Sequence, residues 1–109
     1  MQDQDLNTNI SYSGIEETEG IDNYLIKKLT KVKSFLEDGA PIKVHIKSVR
    51  NVDGVHDDIH LNIQLHYFHE FISIDEEGFE LYATIDKASD VLKEKLAKEK
   101  ERLKDHHKQ

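Results

Sequence analysis

At 109 residues, with 34% of them charged and 37% hydrophobic, the chain has room for one small core and no apolar run near the ~20 residues of a membrane-spanning helix. It has no cysteine, which removes disulfides, thiolate nucleophiles and cysteine-ligated zinc together. The net charge of −7 argues on its face against a nucleic-acid partner, because affinity for a polyanion comes from cations that release counterions. The average conceals a segregation. Residues 1–26 carry six acids and no base, 27–50 seven bases and two acids, 51–86 nine acids and no base, and 87–109 eight bases and five acids.

Leu6, Thr8, Ile10 and Tyr12 alternate with Asn7, Asn9, Ser11 and Ser13, a period of two that predicts a half-buried first strand ended by Gly14. Thr18 is placed to cap a helix, with Glu19 at the positive end of its dipole. Ile21, Tyr24, Leu25, Leu29, Val32, Phe35 and Leu36 recur at three- and four-residue steps, so this helix is expected to run on until Gly39 and Pro41 stop it.

Ile42, Val44 and Ile46 predict a second strand, and Asn51 to Asp58, with Asp53-Gly54, a turn. Ile59, Leu61, Ile63, Leu65 and Tyr67 fall on one face of a third strand, opposite His60, Asn62, Gln64 and His66. Phe71 to Asp75 predict a fourth, after a turn within His66 to Glu70 that has no Gly, Asn or Pro. Asp75-Glu76-Glu77-Gly78 then reads as a turn whose acids are dipole partners of a second helix starting near Glu80, with Leu81, Ile85, Ala88, Leu92, Leu96 and Leu103 keeping a helical period. The fold class is α+β in the order β-α-β-β-β-α, with both helices on one face of a four-stranded sheet. It is a single domain over 1–109, its ordered core spanning about 6–104 and a mobile tail expected at 105–109.

On the second helix, Lys87, Lys95, Lys98 and Arg102 lie along one flank of the apolar stripe, and Lys93, Lys100 and Lys104 along the other. Asp90, Glu94 and Glu101 mark the outward spine. Lys27 and Lys31 stand one turn apart on the exposed side of the first helix, with Lys28 at the margin of its apolar face. Side by side, the helices would bring one flank of the second against these lysines as a basic groove. The plainer alternative is a solvated face that keeps a charged helix soluble.

Ile15-Glu16-Glu17-Thr18-Glu19, the Lys28, Leu29, Lys31 spacing, Leu81-Tyr82-Ala83-Thr84-Ile85-Asp86, and Lys98, Lys100, Arg102-Leu103-Lys104-Asp105-His106 together resemble the short form of the ribosome hibernation-promoting factors, also called ribosome-associated inhibitor or protein Y. The resemblance runs from about Asn9 to His106. It implies a fold similar to double-stranded RNA-binding domains, no catalysis, and binding in the mRNA and tRNA channel of the small ribosomal subunit that inhibits translation and stores idle ribosomes under stress or in stationary phase.

The family positions that match are Lys28, Lys31 and Lys98, the first choices for contact with ribosomal RNA phosphates. Lys27, Lys87, Lys95 and Arg102 are in support from the spacing. Asp22, Val91 and Glu94 stand where relatives are usually basic. The chain ends after the second helix, so pairing of ribosomes would need a second factor, and a cytoplasmic monomer off the ribosome is expected. A different class of reading is a protein-interaction module that keeps the family fold and meets a partner through its acidic segments.

Seven histidines, chiefly His60, His66 and His69, invite a metal reading. A strand or hairpin spacing with no cysteine and no third ligand in place favours ordinary exposed histidines instead. No cofactor is implied. Nucleophile-elbow, phosphate-loop and zinc-protease motifs are absent, so an enzyme has no residue to rest on. Tyr82 is expected to bury its ring in the core and leave its hydroxyl at the rim.

Overall fold

A computed structural model describes residues 6–37, 39–50, 52, 54 and 57–107, the last three by backbone only. The elements are β1 (Asn7–Ser13), α1 (Glu19–Leu29), a 3-10 segment (Thr30–Phe35), β2 (Pro41–Arg50), β3 (Asp57–Tyr67), β4 (Glu70–Gly78) and α2 (Leu81–His107). The sheet order follows the chain, β1-β2-β3-β4, with β1 parallel to β2 and the other pairs antiparallel. The predicted α+β order and the placing of both helices on one face are what the structure has.

The alternation in the strands sets the layers. Ile42, Val44 and Ile46 of β2, Ile59, Leu61, Ile63 and Leu65 of β3, and Ile72 and Ile74 of β4 are buried under the helices. Ile21, Leu25 and Leu29 of α1, with Val32 after it, and Ile85, Ala88, Leu92 and Leu96 of α2 close the core from above. One face of the sheet therefore packs and the other stays open to water, as period-two patterning requires.

Thr18 caps α1, its Oγ1 accepting from the Ile21 backbone N–H at 3.2 Å. The helix does not keep α geometry up to Gly39 as its periodicity suggests. Thr30 Oγ1 donates to the Ile26 carbonyl at 2.7 Å, a side-chain bond that competes with the helical ladder, and the chain tightens into 3-10 form over the next turns. The apolar residues still face inward, which is why the period alone could not reveal the change.

The acidic run also behaves differently from expectation. Asp75, Glu76, Glu77 and Gly78 continue β4 instead of forming a turn, because Asn62 Nδ2 donates to Asp75 Oδ1 at 2.8 Å and His60 Nδ1 lies 3.1 Å from Glu77 Oε2 across the β3–β4 ladder. Glu80 then caps α2, its Oε1 accepting from the Ala83 N–H at 2.8 Å. The β3–β4 turn falls inside the predicted window as a two-residue loop, Phe68-His69, with Phe68 at φ 57°. Much of the turn expected at Asn51 to Asp58 lies outside the described residues; those described show Arg50 bonded to the Gly54 carbonyl and paired with Asp57 at 3.1 Å. The side chains of the expected tail, and residues 108–109, lie outside them as well.

Candidate nucleic-acid interface

Helix α2 is about 40 Å long, and its two basic flanks meet different neighbours. Lys28 of α1 reaches Asp86 at 3.0 Å, Tyr24 of α1 donates to the same Asp86 oxygen at 2.5 Å, and Lys100 lies 5.7 Å from the centre of the Phe35 ring. These contacts turn the flank of Asp86, Lys93, Lys100 and Lys104 toward α1 and the 3-10 segment. On the other flank, Lys87 is 3.6 Å from Glu76 of β4 and Arg102 is 3.2 Å from Glu70 at the start of β4.

The placing of the predicted residues changes accordingly. Lys87, Lys95 and Arg102 do not line the groove between the helices. Lys87 and Arg102 strap α2 to the edge strand, while Lys95 and Arg102 share Glu99 at 3.6 and 2.8 Å. The Glu99 hydrogen bond, made first with Arg102, holds the Glu99 carboxyl below its ordinary range and the guanidinium above its own. Lys98 is exposed on the shoulder between this flank and the outward spine, with no acid partner among the described residues.

Lys27 and Lys31 are exposed on the α1 side, where sequence reasoning put them. Lys28 is less free than expected: its side chain is only 20% exposed, paired with Asp86 and 5.5 Å from the Tyr24 ring. The hydrogen bond to Asp86 raises the Lys28 pKa, and the same carboxylate raises that of Tyr24. In return, the Tyr24 hydroxyl first and then Lys28 lower the Asp86 pKa.

Sequence reasoning missed the groove lysines of α2, Lys93 and Lys100. A signal for them was present, since both lie at seven-residue steps from Asp86 and so share its face. Tyr82 also differs from expectation, being 38% exposed and set edge-on to Tyr24 with ring centres 4.8 Å apart. It belongs to the surface clamp between the helices and not to the core.

Asp22 has local partners. Tyr12 donates to Asp22 at 2.5 Å, and burial followed by this bond drives the tyrosine pKa upward. Glu17 is raised by its hydrogen bond with Asp22. Val91 packs against the core, whereas Glu94 is exposed. Among the described residues no group of three potential metal ligands converges, and no helix is long and apolar enough to cross a membrane.

A groove with cationic rims at its 3-10 end, carried on two helices over a mixed sheet, can be compared with known proteins. The family model described as Sigma 54 modulation protein / S30EA ribosomal protein matches residues 8–104. The chain belongs to this family. Its fold is similar to that of the N-terminal domain of Thermus thermophilus protein Y, with a TM-score of 0.65 and 22% identity over 84% of this chain and 96% of the other. A ribosomal subunit interface protein from Coxiella burnetii is similar at the same TM-score, with 16% identity over 87% of this chain and 98% of its own. No curated protein matches this S30EA-family chain.

Proposed function

We propose that this S30EA-family protein is a non-enzymatic ribosome hibernation factor that binds the small ribosomal subunit in the mRNA and tRNA channel, occludes it, and keeps idle ribosomes in store under stress. The observation that carries the reading is the match of the family model over almost the whole chain, joined to a groove between α1 and α2 whose rims carry Lys31, Lys93, Lys100 and Lys104. Lys27 and Lys98 extend this cationic surface on either side. Lys28 acts within it as part of the clamp that sets the two helices in place.

The chemistry is that of phosphate binding, in which cations and shape position the protein and no base-edge code is needed. Glu70, Asp75, Glu76 and Glu77 lie on β4, away from α1, and Asp86, the acid on the flank that faces α1, is engaged by Lys28 and Tyr24, which lessens the repulsion that a net charge of −7 would otherwise impose. The protein acts as a cytoplasmic monomer off the ribosome, with ribosomal RNA as its principal partner and no cofactor.

Co-sedimentation with purified small subunits at two salt concentrations, with mRNA as competitor, tests the reading. Binding that weakens as salt rises and is lost to mRNA is expected. Absence of binding at low salt would overturn it, and binding indifferent to both salt and mRNA would point to a protein partner met through other surfaces.

A further inference from the structure

The open face of the sheet, opposite the helices, is built unlike a face that only meets water. His66 of β3 and Phe71 of β4 are direct cross-strand partners, their ring centres 5.2 Å apart and tilted by 56°. Phe71 is 57% exposed, although isoleucine fills the inward positions of the same strand. The turn that sets this pair is strained: a two-residue loop needs a left-handed residue, and Phe68 occupies that conformation at φ 57° where glycine or asparagine is the usual choice. Such strain gathers at functional sites. Here it keeps the loop short and holds His66 and Phe71 in register.

The next row of the same face is polar and cationic. Lys43, Gln64 and Ser73 are neighbours across β2, β3 and β4, with Asn9 of β1 beside Lys43. Lys43 is exposed with no acid partner among the described residues. One strand across and one pleat along, it lies about 8 Å from His66. Asn9, Ser11, Lys43, His45, Asn62 and Gln64 line a cleft of 410 Å³ here, in the range that takes small ligands.

The charge around the rings favours an anion. Glu70, beside Phe71 in sequence, projects to the other face and is held by Arg102 at 3.2 Å, while Glu37 shares with His66 and Phe68 a separate cavity at the turn end of the sheet. Asp75 lies on the open face, but four residues along β4 from Phe71, which is about 13 Å and beyond the ~8 Å screening length of physiological salt. Aromatic faces beside a lysine and amide side chains on an open sheet are the means by which proteins hold unpaired nucleotides, stacking the base and pairing the phosphate.

We infer that the open sheet face is a second RNA-binding surface, in which Phe71 and His66 stack an unpaired base, Lys43 meets its phosphate, and Gln64 and Asn9 reach the base or sugar. It stands on different residues from the helical groove and goes beyond the function proposed above.

Phe71→Trp introduces the sole tryptophan of the chain and makes the surface report on itself. Single-stranded oligoadenylate is expected to quench its fluorescence, while inorganic polyphosphate, with charge but no base, leaves it unchanged. Phe71→Ala is expected to weaken oligoadenylate binding roughly 5- to 100-fold, with thermal stability intact because the ring is exposed. Lys93→Ala with Lys100→Ala is expected to keep the quench, which separates this surface from the groove. Quenching by polyphosphate, no quenching by saturating oligoadenylate, or unaltered affinity of Phe71→Ala would each overturn the inference. Loss of subunit binding by Phe71→Ala with oligoadenylate binding unchanged would overturn it in favour of a protein partner.

Discussion

The two flanks of α2 are similar in sequence and separate in structure, which makes them a controlled comparison. Lys93 and Lys100 face the groove and stand seven residues apart, about 10.5 Å along the helix, far enough for each to neutralise its own phosphate. Counterion release gives a slope of about 0.7–0.9 in log K against log salt for every phosphate neutralised. The double variant Lys93→Ala/Lys100→Ala is therefore expected to reduce the salt slope of small-subunit binding by about 1.4–1.8. Lys87→Ala/Lys95→Ala removes the same formal charge. Its lysines are engaged with Glu76 and Glu99 at 3.6 Å, however, so a phosphate would have to displace an acid to gain either one. This variant is expected to leave the slope within about 0.5 of the parent's. Binding measured at four or five salt concentrations reads both slopes. Equal losses would show that net charge alone drives association, and a larger loss for the Lys87/Lys95 variant would show that RNA docks on the β4 side.

Two further outcomes test the framework that holds this interface. Gly14 has φ 72°, and a Cβ there would collide with the Ser48 backbone carbonyl, whereas Gly39, at φ 79°, has open space. Gly14→Ala is expected to lose more than the ~1–3 kcal/mol of a left-handed non-glycine residue and Gly39→Ala to stay within it, as read by urea unfolding; equal losses would refute the collision. The lowered Asp86 pKa makes a stabilising contribution that is full above the ordinary carboxylate value of ~3.9 and lost as pH falls through the lowered one. The stability gap between the parent and Asp86→Asn is thus expected to be widest near neutrality and to close in acid, and a gap constant down to pH 2 would refute the clamp.

The element order was legible because the local signals agree. Period-two runs mark each strand, a Thr18 cap and a three-to-four step mark α1, and the stripe from Leu81 to Leu103 marks α2. The signals failed where a side chain chose its partner from elsewhere in the molecule. Thr30 bonded back to Ile26 and tightened the end of the first helix, while Asn62 and His60 received the acids that looked like a turn. Burial at 3-10 spacing and at α spacing is the same in a short stretch, and an acidic run carries no mark of a partner on the neighbouring strand.

The candidate interface divides in the same manner. Sequence alone determined that the cations lie in two segments, that each segment is an amphipathic helix, and that α2 has two basic flanks. Which flank faces α1 was decided only by tertiary packing. A helix is symmetric about its apolar stripe in one dimension, and its handedness acquires a left and a right only when the sheet beneath it has an order of strands. With α1 toward β1 and α2 toward β4, the Asp86 flank turned inward to Lys28 and Tyr24, and Lys87 and Arg102 were left to the acids of the edge strand.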